Sequence, residues 1–178
     1  MQNLQQEIDL LIRNVPDFPK PGIMFKDITP ILSNQEFCSK VVDFYTEQFK
    51  DNLPDAIVGI ESRGFLFGML LANKWQIPFV PIRKAGKLPH KTVSFSYDLE
   101  YGSATIEIHE DALKPNWKVM VHDDLLATGG TAMAASELIN KLGATTHSFT
   151  FLVNLEFLQG AKNLSKYSNK IISVASYS

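Results

Sequence analysis

Cysteine is almost absent from this sequence, which has one, Cys38, in 178 residues. A single thiol cannot form a disulfide within the chain, which suits a reducing compartment. Also missing are an apolar run long enough to span a bilayer and, in the polar first residues, the apolar core of a signal peptide. These absences predict a cytoplasmic protein with no membrane partner.

An excess of charge of one sign is missing as well. Lysine and arginine number 17 and aspartate and glutamate 19, so the net charge is −2. That balance predicts no nucleic-acid partner, and any anion site must be local. With 45% hydrophobic and 20% charged residues, the composition is that of a soluble globular protein. The length predicts one domain, residues 1–178, with a sizeable core.

One run, residues 118–132, combines the most informative features of the chain. Apolar and β-branched residues open it, as in a buried strand. Two adjacent carboxylates, Asp123 and Asp124, follow, and after two leucines comes a loop of small residues. A helical pattern then covers residues 132–142, with Gly143 as the expected C-cap. This order predicts a strand that ends at the acids, a tight loop and a helix.

The loop at 127–131 has the features of a phosphate site. Gly129 and Gly130 allow close backbone approach to a ligand, and the N–H groups and hydroxyls at the helix start favour an anion. Neither the Walker sequence nor the Rossmann glycine spacing is present. Carboxylates repel phosphate but accept hydrogen bonds from hydroxyls or hold a divalent cation. A sugar phosphate would satisfy both groups; the alternative is an ordinary strand end and a turn capped by threonine.

Polar segments also follow two other predicted strands. A buried-strand pattern at 56–60 ends at an acid-Ser-Arg-Gly segment, and one at 79–82 ends at a cluster of basic side chains. Because the carboxyl ends of parallel strands share one edge of a sheet, Glu61, Arg83 and Asp123 are expected to meet there. Seen alone, the first segment could be a turn capped by serine and the second a solvated loop.

Strands alternate with helices through most of the chain. This alternation predicts an α/β fold with a mainly parallel central sheet, helices on both faces and a site at the carboxyl ends of the strands. Helical spacing of apolar residues marks 4–12, 37–49 and 65–75. Three prolines and a glycine at 15–22 indicate a stiff extended arm, and the alternation at 104–109 indicates one half of a strand pair.

The segment Asp-Asp-Leu-Leu-Ala-Thr-Gly-Gly-Thr, residues 123–131, closely resembles the phosphoribosyl-pyrophosphate (PRPP) signature of the type I phosphoribosyltransferases. Its form is similar to that of the adenine-specific members. Pro-Gly-x-x-Phe-x-Asp-Ile-x-Pro at 21–30 and Leu-Glu-Tyr-Gly at 99–102 match these members too. The resemblance extends from Pro16 to about Leu158, which is nearly the whole chain.

What the resemblance implies is a fold and a reaction. The fold is that of the type I phosphoribosyltransferases, with a small N-terminal hood at 1–30 that contributes to the purine pocket and a mobile β-hairpin lid at 84–108. The reaction is transfer of the 5-phosphoribosyl group from PRPP to adenine, giving AMP and pyrophosphate, in purine salvage. The resemblance also implies a homodimer and Mg²⁺, held mainly through PRPP and water and with no direct protein ligand assigned.

The resemblance assigns roles to individual residues. Asp123 and Asp124 would hold the ribose hydroxyls and favour a cationic transition state. Glu100 would exchange a proton with the purine, and Tyr101 would shield the reacting ribose. The remaining contacts would be Ala127, Thr128, Gly129, Gly130 and Thr131 for the 5′-phosphate; Ser62, Arg63, Arg83, Lys84, Lys87 and His90 for pyrophosphate; and Met24, Phe25, Lys26 and Leu155 for adenine.

Some positions keep a second interpretation. The apolar segment around Phe25 could be a short apolar strand or hairpin on the core, and Leu155 could simply be core. His122 stands where the family usually has an apolar residue, and we expect it to form a hydrogen bond behind the acids without a part in catalysis. The family also leads us to expect a cis peptide bond between Glu61 and Ser62.

Two other functions stay open at this point. A sister transferase could use hypoxanthine, guanine or xanthine, although the region of Phe25 and the Leu-Glu-Tyr-Gly segment favour adenine. A non-enzymatic relative could bind PRPP or a nucleotide and regulate transcription. The single domain and the net charge of −2 argue against that second function.

Overall fold

The computed structural model describes residues 2–18, 20–22, 24–98 and 103–178. Within these ranges, seven strands form the central sheet and two more form a separate ribbon. The helices are α1 (Gln2–Leu11), α2 (Thr29–Leu32), α3 (Gln35–Phe49), α4 (Gly64–Trp75), α5 (Gly130–Lys141) and α6 (Gly160–Leu164). The strands are β1 (Arg13–Pro16), β2 (Met24–Asp27), β3 (Ala56–Ile60), β4 (Phe79–Lys84), β5 (Thr92–Asp98), β6 (Ser103–His109), β7 (Lys118–Leu126), β8 (Thr145–Leu155) and β9 (Ile171–Tyr177).

The central sheet has the strand order β5-β6-β4-β3-β7-β8-β9. β3 pairs in parallel with β4 and β7, and β8 pairs in parallel with β7 and β9. The β4–β6 and β5–β6 pairs are antiparallel. The prediction of a mainly parallel sheet is therefore confirmed, and β5 and β6 form the predicted strand pair.

Successive side chains of the strands pack on opposite faces of the sheet. Val58 and Val121 belong to a buried cluster that includes apolar residues of α5. Ile57 and Met120, their neighbours in sequence, belong to a second cluster with residues of α1, α3 and α4. Helices thus cover both faces, as predicted, and strands buried on both sides account for the nearly continuous apolar runs in the sequence.

Two predicted strand ends lie further along the chain than the sequence suggested. Glu61 directly follows β3, as predicted, but Arg83 lies inside β4, and Asp123 and Asp124 lie inside β7. The prediction that β7 ends at the acids is wrong because β8 continues to pair with it beyond them. On its other side the pairing of β7 with β3 ends at His122. The acids therefore occupy a stretch of β7 that has one neighbouring strand instead of two.

Helix ends follow the local sequence closely. α5 begins two residues before the predicted start, and Gly143 follows it with φ +77, the left-handed conformation expected of a C-cap glycine. Asn34 caps α3, its side chain accepting a hydrogen bond from Phe37 N at 3.0 Å. In the described part of the chain, no helix combines the length and the apolar character needed to cross a membrane.

The N-terminal ribbon differs from the extended arm that its prolines suggested. Its two strands, β1 and β2, pair antiparallel, with Arg13 opposite Asp27 and Pro16 opposite Met24. The turn between them includes Gly22, which has φ +86. A hairpin around Phe25 was one open interpretation of the sequence. Its partner strand β1 was not located, because Arg13–Pro16 has only one apolar residue, followed by a proline.

Candidate active site

The two acids of β7 point toward different neighbours. Asp123 is half-buried, and its Oδ1 accepts a hydrogen bond from Asp124 N at 2.9 Å. Asp124 is buried, and Arg63 Nε lies 3.0 Å from its Oδ2. That ion pair lacks hydrogen-bond geometry, so Oδ2 has no hydrogen-bond partner among the described residues. The site therefore holds a buried carboxylate oxygen with acceptor capacity to spare.

Electrostatics make this pair of acids unusual. Burial raises the pKa of the Asp123 carboxyl well above its ordinary value, and the neighbouring Asp124 carboxylate adds to the rise. Burial also raises the pKa of Asp124, against the opposing effect of the Arg63 guanidinium. Two adjacent carboxylates with raised pKa values attract hydroxyl donors and positive charge.

Gly64 allows the N-terminus of α4 to lie directly against the acids. A Cβ at this position would lie 2.5 Å from His122 O and 3.2 Å from Asp123 Oδ1. Both distances are shorter than ordinary contacts, so a larger residue would push α4 away from β7. The Gly64 in the predicted acid-Ser-Arg-Gly segment thus sets the approach of Arg63 to Asp124.

The loop at 127–131 joins β7 to α5, as predicted. Gly129 lies just before the helix with φ +85, and no side chain caps this helix start. The N–H groups of the first turn therefore have no side-chain cap, which is the arrangement that favours an anion. Thr128 is exposed and Thr131 is half-buried at the helix start.

α6 supports this loop from behind, a feature that the sequence did not reveal. Asn163 Nδ2 donates a hydrogen bond to Thr128 O at 3.0 Å. Gly160 packs so closely against Ala127 O and the Leu126 side chain that a Cβ there would overlap both. These contacts join residues more than 30 positions apart, so no local pattern announces them.

A cavity of about 460 Å³ lies at the carboxyl edge of the sheet. It brings together Asp123, Thr131 and the sequence-predicted Lys84, along with Glu61, which directly follows β3. Tyr97 of β5 lines it too, and the Tyr97 hydroxyl lies 2.9 Å from Thr131 Oγ1. The other lining residues are Ile60, Ile82, Ala85, Ala104, Thr105 and Ile106.

The Glu61 carboxylate organises the basic side of this cavity. Arg83 donates to both of its oxygens, at 3.1 and 3.3 Å, and Lys84 N donates to it at 2.9 Å. The hydrogen bonds from Arg83 are the largest cause of a lowered Glu61 pKa. The Arg83 guanidinium is thus bonded to Glu61 and also donates to Lys87 O at 3.2 Å, whereas the Lys84 and Lys87 side chains are exposed. The peptide bond between Glu61 and Ser62 is cis, as expected.

The Ser62 turn excludes one alternative. Arg63 is the N-cap of α4, with no side-chain cap, and the Ser62 carbonyl oxygen accepts a hydrogen bond from Phe65 N at 3.2 Å. The interpretation of Ser62 as a capping serine is therefore wrong. Its side chain is exposed next to Arg63 at the strand end.

Glu107 of β6 fixes the basic loop at 85–91, and sequence reasoning missed it. Its Oε1 accepts hydrogen bonds from Lys87 N and Leu88 N, each at 3.0 Å. Burial alone would raise the Glu107 pKa, but the hydrogen bonds from backbone N–H groups outweigh it and lower the pKa.

The predicted pyrophosphate residue His90 is not among the residues that line the cavity. It lies beside His109, with ring centroids 6.2 Å apart.

The predicted base-binding residue Phe25 lies next to the acids through Arg63. The Arg63 guanidinium carbon lies 5.3 Å from the Phe25 ring centroid while Arg63 Nε reaches Asp124. The exposed ring of Phe18 meets Phe25 edge to face, with centroids 5.1 Å apart. Phe25 is half-buried in β2, so its segment is the short strand of a hairpin that the alternative interpretation allowed, and its side chain is also next to Arg63.

The other base-region residues meet around Tyr177 of β9. Lys26 Nζ lies 4.2 Å from the Tyr177 ring centroid and donates to Asn14 Oδ1 at 2.8 Å. Leu155 pairs with Tyr177 across β8 and β9 and is half-buried against the second core cluster. Met24 is exposed at the edge of the ribbon. Glu100 and Tyr101, the predicted lid residues, lie outside the described residues.

His122 has the structural role that we expected. It is fully buried, and its Nδ1 lies 2.9 Å from Thr150 Oγ1 on β8. Burial lowers its pKa to about 3, so the ring is neutral at physiological pH. The side chain lies one residue before Asp123 and anchors the part of β7 that carries the acids.

Comparison with known proteins agrees with this geometry. A model of the phosphoribosyl transferase domain matches residues 27–174. The adenine phosphoribosyltransferase of Cytophaga hutchinsonii is 48% identical over 174 residues, which cover 98% of this chain and 96% of that protein.

Solved structures give the same result. The adenine phosphoribosyltransferase of Thermoanaerobacter pseudethanolicus superposes with a TM-score of 0.92 at 44% identity, covering 97% of this chain and 99% of that one. The APRTase of Giardia lamblia, solved in complex with 9-deazaadenine, has a TM-score of 0.92 at 38% identity and covers 97% of each chain.

Proposed function

This chain belongs to the phosphoribosyltransferase family, among the adenine phosphoribosyltransferases, and on that ground we propose that it converts adenine and PRPP to AMP and pyrophosphate in the presence of Mg²⁺. The observation that carries the proposal is the cavity at the carboxyl edge of the sheet. Asp123, Thr131 and Lys84 line it together, although they come from separate segments. An acid for hydroxyls, a loop for phosphate and a base for pyrophosphate are the groups that PRPP requires.

The ribose and its 5′-phosphate are bound, in this proposal, by β7 and the loop after it. Asp123 and Asp124 accept hydrogen bonds from the ribose hydroxyls, and the loop at 127–131 holds the phosphate at the start of α5. As pyrophosphate departs, positive charge develops on the ribose ring. The two carboxylates stabilise that charge in a partly desolvated site, and the phosphate contact positions the ring for attack.

The pyrophosphate is bound on the opposite side of the cavity. Lys84 lines that side and is exposed, Lys87 is exposed in the basic loop that follows, and Ser62 and Arg63 stand at the end of β3. Arg83 contributes indirectly, since its bonds to Glu61 hold the ends of β3 and β4 together. Arg63 is the group that can act on both substrates, because it already contacts Asp124 and Phe25.

Adenine is placed, in this proposal, against Phe25, with Leu155 as the opposite wall. Stacking on an aromatic ring contributes about 1–3 kcal/mol and does not depend on which base is bound. Selection of adenine therefore requires hydrogen bonds to the base edge, for which the backbone near Met24 and Lys26 is available. Glu100 is proposed to exchange the purine proton and Tyr101 to cover the ribose.

Mg²⁺ fits this site as a companion of the substrate. Within the described ranges, no group of three or more His, Cys, Asp or Glu side chains is placed to hold an ion. Mg²⁺ in phosphate-binding sites is commonly held by substrate phosphates, waters and one or two carboxylates. Of the two carboxylates that line the cavity, Glu61 is paired with Arg83, which leaves Asp123. When bound, the ion would neutralise charge on the departing pyrophosphate.

A homodimer is part of the proposal. Leu66, Met69 and Leu70 of α4 are 40%, 53% and 46% exposed and lie on one side of the helix; we refer to them as the α4 patch. A group of exposed apolar side chains on one helix face favours association with another protein surface. A second copy of the chain is the partner that the family implies.

The direct test is to mix the protein with PRPP, Mg²⁺ and each purine base and to measure pyrophosphate release. We expect turnover with adenine and far less with hypoxanthine, guanine or xanthine. The double variant Asp123→Asn with Asp124→Asn should lose turnover by more than about a hundredfold, as when charge stabilisation is removed from an active site, while it remains folded. Release with guanine in place of adenine, or full kcat/KM in the double variant, would overturn the proposal.

A further inference from the structure

Tyr97 of β5 has no role in the function described so far, yet it reaches the phosphate loop. Its hydroxyl lies 2.9 Å from Thr131 Oγ1. Its ring packs against the Gly130 backbone, because a Cβ built on Gly130 would lie 3.8 Å from the ring atoms Cδ2 and Cε2. The side chain is half-buried and lines the same cavity as Asp123. The hairpin of β5 and β6 therefore places a phenol hydroxyl next to the loop at 127–131.

The strand that carries Tyr97 is fastened to α5 at a second point. Lys141 Nζ, in the last turn of α5, donates to Ser94 O at 2.9 Å and lies 5.1 Å from the Phe95 ring centroid. β5 thus runs along α5 with contacts at both ends of the helix. These contacts fix the position of the Tyr97 hydroxyl relative to the start of α5.

We propose that Tyr97 is a substrate-binding residue whose hydroxyl donates a hydrogen bond to the 5′-phosphate held by the loop at 127–131. This proposal deepens the proposed function and rests on it. The Tyr97 and Thr131 hydroxyls can each donate one hydrogen bond, and in the pair that they now form one donor is directed at the other oxygen. A phosphate oxygen between them would accept from both.

The chemistry of the position favours a phenol over other donors. A lysine or arginine at this place would pair with Asp123 across the cavity, since opposite charges in a partly buried site attract strongly. A neutral hydroxyl donates to phosphate without neutralising that acid. If packing against Gly130 were the whole function of the ring, phenylalanine would serve equally well.

The experiment compares AMP with adenosine, two ligands that differ by the phosphate. Calorimetric titration of the wild type and of Tyr97→Phe gives four dissociation constants. A hydrogen bond to a charged group contributes about 1.5–3 kcal/mol, which is roughly a tenfold to hundredfold change in affinity. We expect Tyr97→Phe to weaken AMP binding by at least tenfold and adenosine binding by less than twofold. Equal factors for the two ligands, or no change with either, would overturn the proposal.

Tyr167→Phe is the matched control. The Tyr167 hydroxyl donates to Glu137 on the same helix, so this variant also removes one phenol hydroxyl beside α5. It should leave the ratio of AMP to adenosine affinity at the wild-type value. If that ratio falls as far as in Tyr97→Phe, the effect belongs to α5 in general and the proposal fails.

A kinetic measurement separates this inference from the function on which it rests. Wild-type protein that makes no AMP from adenine and PRPP refutes the proposed function. If the wild type is active, Tyr97→Phe should raise the KM for PRPP more than it lowers kcat and leave the KM for adenine unchanged.

A spectroscopic measurement tests the contact in the wild type. The ¹³C signal of the Tyr97 ring carbon that bears the hydroxyl should shift with AMP and stay in place with adenosine. The absence of that difference would refute the contact even if the variant folded poorly.

Discussion

Asp123 and Asp124 are site residues that lower the stability of the folded protein at neutral pH. Burial disfavours the charged form of both, and their pKa values are raised. A carboxyl whose pKa rises on folding stabilises the protein while it is protonated. This stabilisation is complete at pH values below the ordinary aspartate pKa of 3.8. It is lost as pH rises through the pKa of the folded state. At neutral pH the pair is therefore retained at a cost in stability.

Replacing Asp123 by Asn should raise the free energy of unfolding at pH 7 and lower kcat/KM by about a hundredfold or more. The amide is neutral at every pH, and its oxygen can still accept the hydrogen bond from Asp124 N. Urea unfolding at pH 7 and at pH 5 measures the first effect. The wild type should gain stability relative to the variant as pH falls, because its carboxyl becomes protonated.

Asp55→Asn is the control for this prediction. Asp55 accepts a hydrogen bond from Lys118 N at 2.7 Å, at the opposite end of β7 from the acids. Its replacement should leave kcat/KM near the wild-type value. If Asp123→Asn is less stable than the wild type at pH 7, the charged Asp123 carboxylate does not lower the free energy of unfolding.

At the residue scale, the sequence predicted side chains whose neighbours in the chain reveal their chemistry. Asp123, Asp124 and Thr131 stand in one short run, and Phe25 lies in a recognisable segment. Tyr97, Asn163 and Glu107 were missed because each acts on a partner that is distant in sequence. A tyrosine in an alternating strand, or a glutamate opposite an arginine, looks the same in sequence whether or not it contacts a loop of the site.

Among the elements, the basic loop at 85–91 depends on β6 for its shape. Glu107 accepts from two consecutive backbone N–H groups of the loop and also from Thr92 Oγ1 at 3.3 Å. Because the Glu107 pKa is lowered, these hydrogen bonds stabilise the fold at pH values above the ordinary glutamate pKa of 4.5. The stabilisation is lost as pH falls through the pKa of the folded state. The loop should therefore loosen in acid, as the Glu107 carboxylate becomes protonated.

Glu107→Ala should raise the KM for pyrophosphate in the reverse reaction by roughly tenfold, since small displacements of binding groups carry costs of that order. Affinity for AMP should change little, because the loop faces the pyrophosphate side of the cavity. The unfolding free energy should fall by about 1–3 kcal/mol as backbone donors lose their acceptor.

Glu110→Ala provides the comparison for that variant. Glu110 pairs with Lys91 at 3.9 Å on the exposed side of the same hairpin, and surface pairs of this kind contribute little. Its KM for pyrophosphate should match that of the wild type. Equal effects of the two substitutions would mean that general hairpin stability, and not the fixed loop, governs pyrophosphate binding.

The element order was predictable from sequence because apolar runs and turn residues mark each parallel strand and each helix. The length of β7 was not. Polar Asp123 and Asp124 signal a strand end locally, but β8 keeps pairing beside them and extends the strand. A hairpin around Phe25 was one open interpretation, but its first strand, β1, was not located because Arg-Asn-Val-Pro is dominated by polar residues and proline.

At the scale of the whole molecule, apolar burial is distributed unevenly over the two faces of the sheet. α5 lies across one face, with Ala134, Ala135 and Leu138 fully buried. On the other face, α4 buries Phe67 and Leu71 beneath α3 and β3 but leaves the α4 patch exposed on its outer side. The sequence predicted α4 as a helix, yet its apolar residues run around most of its circumference, which indicates burial on more than one side.

If the α4 patch is a dimer interface, placing charge there should separate the subunits without unfolding them. The variant Met69→Glu with Leu70→Glu should sediment as a monomer under conditions in which the wild type sediments as a dimer, because two carboxylates would be desolvated in each half of the interface. Leu53→Glu is the matched control, since Leu53 is 43% exposed but lies outside α4. A double variant that stays dimeric would place the subunit contact elsewhere. A wild type that is monomeric at micromolar concentration would show that there is no stable subunit contact.

Loss of the dimer should also raise the KM for PRPP, and the same samples can be assayed for it. The reason is that the basic loop follows β4, and β4 pairs with β3, the strand directly before α4.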